Sequence, residues 1–165
     1  WRQKPVVLVF GSITCDRVQT NSQDLVELYR QFGLDFQFLF VYIREAHPKD
    51  GWQYDRGLRA PDPKSEAIRG KFAEPLCEKL EFPFPALVDT MDDTAAVAYG
   101  AWPSRIFVID EQGVVRYQGF PGPWGFRPLE SSRFLKTDVP VFDEMEAEAR
   151  NMQTVESFLR GYSSS

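Results

Sequence analysis

Cysteine and histidine are scarce in this chain of 165 residues: Cys15 and Cys77 are the two thiols and His47 is the one imidazole. A structural zinc site draws four ligands from clustered Cys and His, so three such residues far apart in sequence exclude one, and no metal is expected. At most one disulfide can form, and nothing in the sequence brings the two thiols together, which excludes a disulfide scaffold. Long apolar runs are missing too. The longest, Phe38 to Ile43, is far short of the roughly 18 residues that a membrane helix needs. Positive charge is in deficit, with 19 Lys and Arg against 24 Asp and Glu, and no basic block exists to follow a phosphate backbone, so no nucleic acid is expected as a partner. There is no G-x-G-x-x-G behind a strand, no Walker P-loop and no N-x-S/T sequon. The chain opens on Trp1 and not on Met; the native start is expected upstream, and the chain is read as cytoplasmic or as a soluble domain of a longer protein.

What is present is an ordinary domain length, able to bury about 70% of its unfolded surface, and an aromatic content of 15%. Val6 to Phe10 (VVLVF) is a β-branched, continuously apolar run, which predicts a strand buried on both faces. A loop carrying Cys15 follows. Asn21 then precedes Leu25, Val26, Leu28, Tyr29 and Phe32 at helical spacing, with Gly33 as the stop. Phe36 to Ile43 predicts a second buried strand, and Arg44 to Pro61 a long polar loop. Asp62 and Pro63 predict a helix opening, with Pro75 breaking or kinking the helix. Ala86 to Asp89 predicts a short strand and Asp93 to Tyr99 a short helix closed by Gly100. Arg105 to Ile109 and Val114 to Tyr117 predict a hairpin whose turn ends on Gly113. The order β-α-β-α-β-α-β-β predicts an α/β fold with helices on both faces of the sheet. Residues 129 to 165 are acidic, and Met145, Met152, Val155, Phe158 and Leu159 predict a C-terminal amphipathic helix. The expected organisation is one domain over residues 1–128, with 129–165 a helical extension packed on it.

Few residues are equipped for chemistry. Cys15 lies between the first strand and the first helix, where α/β sheets present functional groups; the alternative is a small core hydrophobe. The flanking hydroxyls of Ser12 and Thr14 suit a thiolate as hydrogen-bond donors. His47 follows the second strand. Adjacent parallel strands end at one edge of a sheet, so Cys15 and His47 are plausible neighbours, with Glu45 placed to orient the imidazole; the alternative is a surface histidine. Pro103 enters the fourth strand between Trp102 and Ser104, as a turn device or as a cis proline offering a flat surface. Arg105 reads as a surface ion-pair residue or a carboxylate clamp. Cys77 reads as packing, with a resolving thiol as the alternative. Trp52, Trp102, Trp124 and Phe126 fall in loops, able to stack an aromatic ligand or to cover the core.

Five segments, Phe10 to Cys15 (FGSITC), Val41 to Trp52 (VYIREAHPKDGW), Val88 to Asp92 (VDTMD), Tyr99 to Arg105 (YGAWPSR) and Gly119 to Phe126 (GFPGPWGF), resemble the iodothyronine deiodinase family in order and spacing. The resemblance implies a thioredoxin-like fold with peroxiredoxin-type affinities, a central mixed sheet and Pro103 in cis. It implies an oxidoreductase that reductively removes iodine from an aromatic substrate such as thyroxine. Cys15 stands where the family usually carries selenocysteine. In this scheme Ser12 and Thr14 bond the nucleophile, Glu45 and His47 relay a proton, and Arg105, Pro103, Trp52 and Trp102 meet the substrate. No bound cofactor is implied; an external thiol such as dithiothreitol, glutathione or thioredoxin is the reductant, and a homodimer is compatible.

Three departures accompany it. A free thiol near pKa 8.5 is only about 3% ionised at neutral pH. Ile13 replaces a cysteine found two residues before the nucleophile in many members, and Gly57 to Lys64 lacks the family's second histidine. The same thiolate chemistry serves a peroxiredoxin-like peroxidase or a thiol-disulfide reductase, and a non-catalytic thioredoxin-like binding module is the third reading.

Overall fold

A computed structural model describes residues 4–51, 57–132 and 152–163. Its strands are β1 (Val6–Gly11), β2 (Gln37–Tyr42), β3 (Ala86–Val88), β4 (Arg105–Ile109) and β5 (Val115–Gln118). Its helices are α1 (Asp16–Thr20), α2 (Ser22–Phe32), α3 (Glu66–Lys79), α4 (Thr94–Tyr99) and α5 (Val155–Ser163). The strands form one sheet in the order β3-β2-β1-β4-β5. β1 runs parallel to β2 and β2 to β3, whereas β4 is antiparallel to both β1 and β5.

The two central runs are apolar throughout because both faces of the sheet are covered. Val7, Val9, Phe38, Phe40, Tyr42 and Val108 share a core with Leu25 and Leu28 of α2, Ala73 and Leu76 of α3, and Val155 and Leu159 of α5. The alternate residues Phe10, Val41, Ile43 and Phe107 pack on the other face with Ala96 of α4 and Ala101. The period-2 alternation of strand side chains thus sorts one sequence run into two layers. Helices on both faces of a mixed sheet, with a C-terminal helix, are the expected architecture.

Three local features differ from expectation. The first helical turn begins at Asp16, not Asn21, because α1 is too short to display helical periodicity; Val18 anchors it, fully buried. Gly11 makes room for that anchor, since a Cβ there would lie 2.3 Å from Val18 Cγ2. Helix α3 opens on Ser65, whose side chain accepts a hydrogen bond from Ile68 N, and not on Asp62 and Pro63. It also runs through Pro75 to Lys79: the proline faces solvent while Ala73 and Leu76 hold the helix on the core. The hairpin turn falls where expected, with Gly113 at φ 85 and both Gln112 N and Val114 N donating to Asp110 Oδ1.

At the C-terminal end α5 occupies Val155–Ser163; Met145 lies outside the described residues and Met152 precedes the helix. Tyr117 packs against Phe158 and Phe36 against Tyr162. Glu156 N donates to Pro128 O at 2.9 Å, and Ser132 Oγ to Asp24 Oδ2 at 2.7 Å.

Candidate functional site

Topology brings the relevant loops to one edge. β1 and β2 are parallel neighbours, and Gly11 pairs with Tyr42 at their ends, so the segments after them emerge side by side. β4 is antiparallel to β1 with Phe10 opposite Arg105, so the residues that enter β4 lie where β1 finishes. Gly119 N donates to Ile106 O and Gly122 N to Ser104 O, which adds the segment after β5. Trp102–Pro103 is cis at this edge, and so is Gly122–Pro123.

Polar contacts converge on Glu45, which is buried. Thr14 Oγ1 donates to its Oε2 at 2.6 Å and Thr14 N to the same oxygen at 3.1 Å. Tyr42 Oη donates to Oε1 and accepts from Ile13 N at 3.1 Å. The Ser12 hydroxyl also bonds the carboxylate and accepts from Ala46 N at 3.2 Å. Burial raises the Glu45 carboxyl above its ordinary range, against the donors from Thr14, Tyr42 and Ser12, which hold it down. Burial together with the neighbouring Glu45 charge pushes the Tyr42 phenol up. A carboxylate ringed by hydroxyls is equipped to pass protons.

Ser12 and Thr14 therefore sit differently from the expectation that they bond the nucleophile. A serine or threonine hydroxyl has one hydrogen to give; Thr14 gives it to Glu45, and the Ser12 hydroxyl, which accepts from Ala46 N, acts with it to hold the same carboxyl down.

Cys15 is a buried free thiol in the N-cap position of α1, with Cys15 N donating to Ser12 O at 3.1 Å. Burial pushes this thiol up, while the Ser104 side chain and the backbone N–H groups of Val18 and Arg17 act to lower it. His47 is half-buried, and its N donates to Thr14 Oγ1 at 3.0 Å, which ties the imidazole-bearing loop to the cysteine loop. Burial lowers the imidazole, and Asp16 opposes this. The structure thus gathers the Cys15 loop, Glu45 and His47 at one edge.

Trp102 is 43% exposed. Its Nε1 donates to Glu45 O at 3.4 Å, and the Arg44 guanidinium lies 5.4 Å from its ring centre. It walls an open groove of about 460 Å³ shared with Arg44, Asp92, Asp93 and Val97. Arg105 is committed to the backbone: Nε donates to Gly119 O at 2.6 Å, and Nη1 to Gly100 O at 3.1 Å and Tyr99 O at 3.3 Å. Trp124 and Phe126 are buried and serve the core. Trp52 lies outside the described residues. Cys77 is half-buried on α3, and burial pushes its thiol up to about 11, which makes it a poor attacking group.

Two residues of the cluster escaped the sequence-level expectations. Tyr42 carried a signal, as the single phenol in the hydrocarbon run of β2. Ser104 had none, because a serine after a proline is common in any turn.

The model of the iodothyronine deiodinase family matches residues 2–138. Thyroxine 5-deiodinase of Gallus gallus is 35% identical over 134 residues, covering 81% of this chain and 51% of that protein. Type I iodothyronine deiodinase of Xenopus laevis is 34% identical over 134 residues, 81% of this chain and 52% of that protein. Thyroxine 5-deiodinase of Homo sapiens is 36% identical over 149 residues, 89% and 47% respectively. The chain spans about half the length of these relatives. Among solved structures, an uncharacterized conserved protein of Geobacillus kaustophilus superposes with a TM-score of 0.56 at 21% identity, covering 96% of this chain and 68% of that one. A secreted Mycobacterium tuberculosis disulfide oxidoreductase does so with a TM-score of 0.50 at 13% identity, covering 90% and 82%. Both likenesses concern the fold, which is thioredoxin-like. Among the described residues no helix is long and apolar enough to cross a membrane.

Proposed function

Because this chain belongs to the iodothyronine deiodinase family, we propose that it is a thiol-dependent reductive deiodinase of aromatic substrates, with Cys15 as its nucleophile. The observation that supports this best is the convergence of the Cys15 loop, the hydroxyl-ringed Glu45 and the His47 loop at one edge of the sheet.

In this scheme the Cys15 thiolate attacks the ring iodine. A sulfur–iodine bond forms, the carbon–iodine bond breaks, and the electron pair left on carbon takes a proton relayed through Glu45 and His47. An external thiol then attacks the sulfur, iodide leaves, and a second external thiol reduces the mixed disulfide and restores Cys15. Two external thiols are thereby oxidised to one disulfide. Dithiothreitol serves in vitro, and glutathione or a thioredoxin is the natural class of donor. Ser12 and Thr14 act by holding Glu45. Trp102 and Pro103 offer the ring a flat wall beside the groove. Arg105 has its Nη2 donors left for a substrate carboxylate after its three backbone bonds.

The test is iodide release from thyroxine in the presence of dithiothreitol. Release is expected from the unaltered protein and not from Cys15→Ser. His47→Ala should slow turnover with little change in melting temperature; equal loss of both would make His47 a structural residue. Iodide release no greater than that of Cys15→Ser, together with rapid peroxide turnover, would replace this reading with the thiol peroxidase.

A further inference from the structure

The Ser104 hydroxyl is fully buried, and among the described residues its Oγ closes no hydrogen bond of ordinary geometry. A buried hydroxyl without a partner is a standing cost, which alanine at the same position would remove. The fold holds it in place firmly. Ser104 follows the cis Trp102–Pro103 bond and enters β4 beside the end of β1, and its carbonyl accepts from Gly122 N at 2.8 Å. Gly122 closes the space on one side: a Cβ there would lie 2.5 Å from Ser104 Oγ. The same Cβ would lie 3.7 Å from Arg17 Cγ, which brings the turn that carries Cys15 to this space, and Ser104 together with the backbone N–H groups of Arg17 and Val18 favours the ionised Cys15 sulfur. The hydroxyls once expected to serve that sulfur, Ser12 and Thr14, are spent on Glu45.

We infer that Ser104 is a catalytic residue, the side-chain donor that completes a three-donor pocket for the Cys15 thiolate. A neutral thiol is a weak acceptor and a thiolate a strong one, so a hydroxyl held beside the sulfur gains its bond when the proton leaves. Because the donor is already positioned and water is excluded, little reorganisation accompanies ionisation. The two N–H groups belong to the backbone, which leaves Ser104 as the member that substitution can remove. The inference rests on the reading of Cys15 as nucleophile, but its test does not depend on any substrate.

The chain carries two cysteines, so labelling cysteine Cβ with 13C gives two signals, assigned with Cys15→Ser. The pH titration of the Cys15 signal is then compared between the unaltered protein and Ser104→Ala. The expected result is a titration moved up by about one pH unit, a tenfold smaller thiolate fraction at a given pH below it, with iodide release reduced by a similar factor and recovering at alkaline pH. Gly122→Ala, which leaves the hydroxyl present but forces it to turn, should move the titration the same way and decides the matter if Ser104→Ala does not fold. An unchanged Cys15 titration in whichever of these variants folds, even with a lowered melting temperature, would overturn the inference and leave Ser104 a packing residue. Should the unaltered protein release no iodide, the deiodinase reading fails while the titration still decides the role of Ser104.

Discussion

Glu45 shows how a single buried residue can carry both function and a penalty. Its oxygens accept from Tyr42, from both donors of Thr14 and from Ser12, and charge-assisted bonds of this kind contribute about 1.5 to 3 kcal/mol each. Desolvation still dominates, and the carboxyl is raised above the ordinary value of 4.5. A raised native value means that folding favours the protonated form. The associated stability is fully present below the unfolded value and is lost as pH rises through the native one. Glu45→Gln has no such dependence. Its melting temperature minus that of the unaltered protein should therefore grow between about pH 5 and about pH 8. Lowered by burial, His47 contributes the opposite slope but is common to both proteins and cancels. A difference that stayed flat or shrank over that range would mean that Glu45 is already charged in the native state throughout. Sequence alone was enough to propose that Cys15, Glu45 and His47 meet, because both loops leave neighbouring strands. It could not say which hydroxyl served which group, since Ser12, Thr14 and Ser104 differ in their partners and not in their chemistry.

At the scale of elements, long periodic segments were legible and short ones were not. β1, β2 and α2 announce themselves by apolar runs and helical spacing. Helix α1 has five residues, a length that is marginal without tertiary support, and its support comes from a distant choice of residue. Val18 is fully buried against the end of β1 because Gly11 has no side chain. In sequence Gly11 looked like the end of a strand; in the fold it is the socket that places Cys15. Gly11→Ala would set a methyl 2.3 Å from Val18 Cγ2, an overpacking expected to cost about 1 to 3 kcal/mol. Val18→Ala alone should also destabilise by removing buried methyls. The two together should be less destabilising than the sum of the singles, because the second removes the atom that the first strikes. Urea denaturation of the four proteins measures this; strict additivity would show that α1 shifts away and that Gly11 is not what seats it.

The whole molecule is where local pattern says least. An alternation of strands and helices ending in a hairpin predicted an α/β sheet with both faces covered, but the pairing of β1 with β4, some hundred residues later, leaves no trace in either strand's own pattern. That pairing sets the entry to β4 beside the Cys15 loop. The same long reach applies to α5, whose Leu159 is fully buried in one core with Val7, Phe38 and Val108. Tyr162 donates to Glu111 Oε2, and Arg160 to Gln31 Oε1, so the helix reaches the turn between β4 and β5, and α2, as well. If α5 is part of the cooperative unit, its loss cannot be local. Leu159→Ala should cost about 2 to 5 kcal/mol, and the transitions followed by far-ultraviolet circular dichroism and by tryptophan fluorescence should fall together, because Trp102 and Trp124 belong to the sheet edge that the shared core supports. Below the transition, Cys15 should titrate as in the unaltered protein, since the substitution leaves in place every group that shifts its thiol. Were circular dichroism to lose a helical fraction early while fluorescence held its midpoint, α5 would be a separately melting attachment, and the site would owe its geometry to the five strands and the other four helices alone.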